Sequence, residues 1–304
     1  MQDDPLSSDQ QYTVTIGTFD GVHLGHRSLF SHTIERARST NTPSAAATFA
    51  PHPRTVLNGD TGLLALMSVE DRVRHIHKSG ISRVILVEFT REVASLSARQ
   101  FLERLGEQVP LDSLVVGENF RLGRRREAGI KELRALGTVM GFEVVVATPV
   151  TKDEAPVSST RIRNALTEHG DVVLAAELLG RPYELAGVVV QGMGRGRTIG
   201  VPTANVRVPE GIVVPRNGVY RCSATIYGQP GLPLLGVLNI GIRPTFGASD
   251  RSVELHILDW SGELYGVTVR IGFAERLRDE RRFESVDALV VQIQRDIARA
   301  RDAG

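Results

Sequence analysis

At 304 residues, with 41% hydrophobic and 23% charged side chains, the chain is long enough for two cores and too apolar for wholesale disorder. Its formal net charge of +1 excludes a global field for nucleic acid or an anionic membrane, so any phosphate must be met by local sites. The single cysteine, Cys222, excludes an internal disulfide and a cysteine-rich metal cluster, and no apolar run reaches the ~20 residues of a bilayer span.

The polar start, Met1 to Gln11, is unlike a secretory signal, and a soluble cytoplasmic protein is expected. Tyr12–Ile16 reads as a strand. Residues 25–38 follow as a helix with Leu29, Phe30, Thr33, Ile34 and Ala37 on one face. Further strands are predicted at 45–49, 84–89, 113–116 and 143–147, with helical segments between most of them. Ser68 with Asp71 three residues on predicts a capped helix start. This alternation predicts a mostly parallel sheet covered by helices, with ligands at the carboxyl ends of its strands. Asp171 is set to cap a last helix ending at Gly180. From Tyr183 the texture changes to strand-like runs at 183–191, 218–227, 234–240, 252–260 and 267–273, which predict an antiparallel barrel or sandwich. Cys222 lies in one of these strands and reads as a buried, inert thiol. Residues 285–301 close the chain as an amphipathic helix through Val286, Leu289, Val290, Ile293 and Ile297. The domain boundary is expected near Arg181–Glu184.

Gly17-Thr-Phe-Asp-Gly-Val-His-Leu-Gly-His26 is the most informative stretch of the first half. Its glycines admit close backbone approach to a ligand, and His23 and His26 at a helix start can both face one anion. A lone histidine is usually a packing residue; two at this spacing straight after a strand point to phosphate chemistry. The segment resembles the HxGH signature of the nucleotidyltransferase superfamily, which places Gly17, Phe19, His23 and His26 around a nucleoside triphosphate. A second superfamily signature is matched by Val157-Ser-Ser-Thr-Arg-Ile-Arg163, in which Ser158, Ser159, Thr160 and Arg163 form a phosphate cradle. Standing alone, it would read as a helix cap with surface arginines. There is no G-x-x-x-x-G-K-[ST] stretch, which disfavours a P-loop mechanism.

Two further segments follow predicted strands: Thr48-Phe-Ala-Pro-His-Pro53 and Val116-Gly-Glu-Asn-Phe-Arg-Leu-Gly123. Both resemble the flavin-adenylylating branch, which implies flavin binding at Pro51, His52 and Pro53 and ATP-phosphate binding at Asn119. Ala50 departs from that branch, where aspartate is frequent. Arg124-Arg-Arg126 reads equally well as a phosphate grip or a solvated loop.

In the second half, Gly192-Met-Gly-Arg-Gly-Arg-Thr-Ile-Gly-Val-Pro-Thr-Ala-Asn205 offers amides to phosphate and hard oxygens to a divalent cation. Its Pro-Thr-Ala-Asn end resembles the riboflavin kinase signature. That likeness implies Mg²⁺ with ATP at Thr203 and Asn205, and phosphate binding at Gly192, Gly194, Gly196 and Arg197. The resemblance continues through Asn239–Phe246, Val253-Glu-Leu-His256, Leu264-Tyr-Gly266 and Leu277-Arg-Asp-Glu280. It makes Glu254 the general base for the riboflavin 5′-hydroxyl and Arg278 a flavin contact.

Nearly the whole chain thus resembles the bifunctional riboflavin kinase/FAD synthetases of prokaryotes. The resemblance implies a Rossmann-like α/β nucleotidyltransferase domain over residues 12–182, then a β-barrel riboflavin kinase domain with a C-terminal helix over 183–304. It implies FMN made from riboflavin and FAD made from FMN, both with ATP, and neither nucleic acid nor membrane as partner; a homo-oligomer stays open. Two other readings remain at this stage: a kinase with an impaired or retargeted nucleotidyltransferase half, and a non-catalytic flavin-binding regulator.

Overall fold

Tyr12–Ile16 forms β1, and all five of its residues are buried, as suits a central strand. The computed structural model describes residues 10–59, 62, 64–192, 196, 199–229, 231–242 and 251–302. Around β1 lie β2 (Ser44–Ala50), β3 (Arg83–Glu88), β4 (Leu111–Gly117) and β5 (Glu143–Ala147), in the order β3-β2-β1-β4-β5, with every pair parallel. The connections carry α1 (Leu24–Ser39), α2 (Pro53–Asn58), α3 (Val69–Lys78), α4 (Arg91–Ser95), α5 (Ala98–Gly106) and α6 (Ile130–Met140). The core divides between the two sheet faces. Val14, Ile16, Phe49, Phe101, Leu102 and Leu114 belong to one cluster, and Phe19, Phe30, Ala46 and Ile76 to another. Winding runs outward from β1 to β2 and β3, then resumes on the other side at β4. That reversal opens a crevice beyond the carboxyl ends of β1 and β4. The loops from Gly17 to His23 and from Glu118 to Leu122 flank it.

A short hairpin, β6 (Thr151–Lys152) with β7 (Ala155–Pro156), leads into α7 (Ser159–Asn164), a π-helical turn (Ala165–His169) and α8 (Val172–Leu179). Asp171 caps α8 through a 2.9 Å bond from Leu174 N–H, and Gly180 ends it at φ 70°. The barrel then closes as β10-β11-β12-β9-β8-β13: β8 (Glu184–Val190), β9 (Ala204–Arg207), β10 (Gly218–Ile226), β11 (Leu234–Ile242), β12 (Arg251–Ile257) and β13 (Thr268–Arg278). Tyr220, Leu238 and Leu255, neighbours across three strands, fill its interior. Cys222 is buried there, and desolvation pushes its thiol far up, as expected of an inert cysteine.

Closure selects the barrel over the sandwich, as the resemblance implied. Two other expectations change. The strand β9, read in the sequence only as the end of a glycine-rich loop, belongs to the barrel. The helix α9 (Val286–Asp302) forms, but Val286 is 60% exposed, whereas the residues it buries most are Asp296 and Ala300.

The chain divides into two compact units between Ser159 and Thr160. Within the second, Arg216 N–H donates to Leu166 O at 2.8 Å, and its guanidinium to Glu168 O at 3.0 Å. Val172, Ala175, Leu178 and Leu179 are at most 1% exposed. Each buried leucine stabilises by about 1.5–3 kcal/mol. A fragment of residues 183–304 is therefore expected to melt at least about 10 °C below one of residues 160–304. Equal melting temperatures in paired thermal scans would refute a stabilising role for this segment.

Candidate functional sites

The first site is built where β1 runs into α1. Phe19 and Val22 both take positive φ, 47° and 41°, turning the chain sharply back towards α1. Gly17 accommodates the turn, since a Cβ there would stand 2.6 Å from the Phe19 ring. His23 caps α1, its Nδ1 accepting from His26 N–H at 3.3 Å. That bond commits the His23 Nδ1 lone pair, leaving Nε2 as the ring's donor. His26 stacks on His23 at 3.6 Å between ring centres, and Phe19 meets His26 edge-on at 5.3 Å. Burial lowers the His26 pKa well below its ordinary 6.5, and the neighbouring His23 ring and the Arg72 guanidinium lower it further. His26 is therefore neutral at pH 7, and its Nδ1 is buried without a hydrogen-bond partner among the described residues.

The turn is held from several sides. Ser159 Oγ donates to Asp20 O at 2.8 Å, and Leu66 N–H donates to the Asp20 carboxylate at 2.9 Å. Thr18 O accepts from Thr48 Oγ1 at 3.1 Å and from Arg72 at 2.6 Å. A Cβ on Gly25 would lie 3.5 Å from Val157 O, so the start of the Val157–Arg163 signature adjoins the start of α1. The structure thus brings Gly17, Phe19, His23, His26 and Ser159 together. Ser158 is half-buried beside Ser159. Thr160 and Arg163 lie further along α7, in the second unit, with Thr160 exposed and Arg163 half-buried. Asn119 is exposed in the turn after β4 that Phe120 N–H closes on Gly117 O at 3.0 Å.

Pro51, His52 and Pro53 follow β2, whose last residue, Ala50, accepts from Phe89 N–H at 2.9 Å. His52 caps α2 by accepting from Arg54 N–H at 3.2 Å. Val56 and Leu57 of α2 line an open groove of about 1010 Å³ with Arg91 and Ala94 of α4 and with Arg124 and Arg125. Apolar walls edged by arginines suit a flat ring system bearing phosphate. Arg124 is 63% exposed and pairs loosely with Glu127 at 3.3 Å.

The second site lies on the outer face of the barrel. Glu254 of β12 stands in register with Asn239 of β11 on one side and Asn205 of β9 on the other, and all three are half-buried. His256, two residues on and on the same face, holds the Pro202 carbonyl at 2.7 Å. Because a carbonyl only accepts, that ring carries its proton on Nδ1. This bond fixes the segment that delivers Thr203. Gly192 packs so closely on the Asn205 amide that any side chain there would displace it, and a Cβ on Gly196 would stand 2.9 Å from Thr203 Oγ1. Thr203 and Asn205 are thereby presented with the two glycines beside Glu254. Gly194 and Arg197 lie outside the described residues, as does the part of Asn239–Phe246 beyond Ile242.

Arg278 has a structural engagement. Its guanidinium pairs with Asp296 of α9 at 2.8 Å, donates through Nε to the same carboxylate at 3.0 and 3.1 Å, and lies 5.7 Å from the Phe283 ring. Asp296 is only 5% exposed, so this pair anchors α9 to β13. The sequence reading passed over Asp20 and Arg72, which are 3% and 6% exposed. The available signal for Arg72 was its place four residues before Ile76, on the face of α3 that turns inward.

The family model described as FAD synthetase matches residues 6–161, and the one described as riboflavin kinase matches residues 179–303. The bifunctional riboflavin kinase/FMN adenylyltransferase of Escherichia coli K12 is 37% identical over 290 residues, 95% of this chain and 91% of the relative. Its Pseudomonas fluorescens counterpart is 39% identical, over 94% of this chain and 91% of its own. The Bacillus subtilis one is 35% identical over 93% and 89%. A crystal structure described as a macrolide-efflux protein from Streptococcus pneumoniae superposes with a TM-score of 0.89 at 31% identity, covering 98% of this chain and 96% of that one.

Proposed function

The chain belongs to the bifunctional riboflavin kinase/FMN adenylyltransferase family, and from that premise we propose which of its residues perform the two reactions. The enzyme phosphorylates riboflavin with ATP to give FMN, and adenylylates FMN with ATP to give FAD and pyrophosphate.

In the kinase half, residues 183–304 by our assignment, Glu254 takes the proton from the riboflavin 5′-hydroxyl. The freed oxygen attacks the γ-phosphorus of ATP, and ADP leaves. The observation that carries this reading is the in-register row Asn239–Glu254–Asn205, which sets one carboxylate among neutral amides on the outer face of the barrel. Thr203 and Asn205 offer uncharged hard oxygens, a donor set that fits Mg²⁺. When bound, the ion would neutralise charge on the ATP phosphates. Gly192, Gly194, Gly196 and Arg197 are assigned to the ATP phosphates. Arg278, paired with Asp296, is assigned as a flavin contact.

In the adenylylating half, residues 12–182, an FMN phosphate oxygen attacks the α-phosphorus of ATP and the bond to the β-phosphate breaks. No protein nucleophile is needed, because the attacking group is already an anion. His23, His26, Ser158, Ser159, Thr160 and Arg163, with Gly17, Phe19 and Asn119, position the triphosphate and stabilise the departing pyrophosphate. Pro51, His52 and Pro53 start the helix whose Val56 and Leu57 line the groove that we assign to the flavin. No helix among the described residues is long and apolar enough to cross a membrane, and we place the enzyme in the cytoplasm.

Incubation with riboflavin, ATP and Mg²⁺ is expected to yield FMN and then FAD by flavin chromatography. Excess EDTA should stop both conversions. Undiminished FMN formation under EDTA would remove the metal from the kinase reading.

A further inference from the structure

Arg72 projects from α3 into the floor beneath the Gly17–His26 turn. The residue is only 6% exposed, and one guanidinium nitrogen donates to Thr18 O at 2.6 Å. Its Nε is buried with no hydrogen-bond partner among the described residues, as is the Nδ1 of His26. Burying a guanidinium is expensive, and an unanswered buried donor adds about 1–3 kcal/mol. A residue whose only task was to hold one carbonyl could be replaced by a neutral donor without burying a charge. Asp20, 3% exposed, accepts from Leu66 N–H at 2.9 Å, and its negative charge offsets part of the cost of burying Arg72.

We propose that Arg72 is a positioning residue for adenylyl transfer, which holds the Gly17–His26 turn by its Thr18 carbonyl and sets a buried positive charge behind the two stacked histidines. The inference rests on the assignment of His23 and His26 to this reaction. Its consequence is electrostatic. The charged groups facing His26 are His23 from its own segment and Arg72 from α3, while Asp20 and Glu70 face Arg72. With Arg72 behind it, a positive charge on the imidazole is disfavoured in the empty site. A polyanionic triphosphate arriving in front reverses that balance, so positive charge develops at the phosphates only when substrate is bound.

The test uses the full-length chain with Arg72→Met and Arg72→Lys, beside His26→Ala. Arg72→Met removes the charge and the bond to Thr18. It is expected to lower kcat for FAD formation 10–100-fold with a much smaller change in KM for FMN, while riboflavin phosphorylation by the same molecules stays at the wild-type rate. Removing a nearby positive charge lets the proton bind more readily. The His26 ring resonance should therefore titrate at higher pH in Arg72→Met than in wild type. Arg72→Lys keeps the charge, so it should recover much of the rate and leave the titration near wild type. Wild-type kcat in Arg72→Met overturns the proposal, as does a lowered rate with an unmoved His26 titration, which would mark Arg72 as structural only. If Arg72→Met does not fold, Arg72→Lys decides alone: a His26 titration restored to its ordinary pH despite the retained charge overturns the proposal. Should His26→Ala still make FAD normally, the site assignment itself fails, whatever Arg72 does.

Discussion

Glu254→Gln is expected to reduce riboflavin phosphorylation by about 10²–10⁴-fold while leaving conversion of supplied FMN to FAD at the wild-type rate. A 5′-hydroxyl is a weak nucleophile until a base accepts its proton, and glutamine keeps the shape and the hydrogen-bonding reach of the side chain but cannot do so. The substitution sits in a half-buried row between Asn239 and Asn205, so neighbouring amides can still pair with the new one and the strands lose little. Parallel assays with riboflavin and with FMN separate a lost base from a lost fold. Riboflavin phosphorylation at the wild-type rate would end the assignment of Glu254 as the base.

His26→Ala should do the reverse. Loss of one charge-stabilising donor costs about 10²–10³-fold in comparable sites, roughly 2.7–4 kcal/mol of transition-state stabilisation. FMN should therefore accumulate from riboflavin and ATP, because the barrel does not contain His26. Truncation also removes the ring stacked on His23 and edge-packed by Phe19, so some loss of thermal stability in the first unit is expected beside the rate effect. Measured with both substrates, the two variants give four rates. Normal FAD synthesis by His26→Ala would remove His26 from the adenylyl-transfer machinery.

Much of this molecule was legible in one dimension, for identifiable reasons. Tyr12–Ile16, central in the sheet, and Glu143–Ala147, at its edge, were readable to the residue because parallel strands are short apolar runs bounded by polar turns. The caps at Ser68 and Asp171 were readable because a short side-chain oxygen satisfies orphan amides two or three residues ahead, a purely local relation. Periodicity gave two domains of different texture, and the resemblance carried by the motifs of each half gave the family and both reactions. What depends on distant pairing was hidden. The strand β9 has a loop-like sequence and is a strand only because β8 and β12 flank it. Asp296 lies in a helix whose apolar stripe predicts its buried face, yet it is buried because Arg278, eighteen positions away in sequence, reaches it from β13. Arg72 reads as one more surface arginine until the sheet brings α3 under the β1 turn. The neutral state of His26 comes chiefly from desolvation by the folded chain, which no spacing encodes. Motif and period are relations between near neighbours in the chain, so the sequence by itself determined most of the elements and the family. Burial, charge pairing and proton affinity are set by groups far apart in the chain, so only the tertiary structure decided which side chains support the chemistry from below.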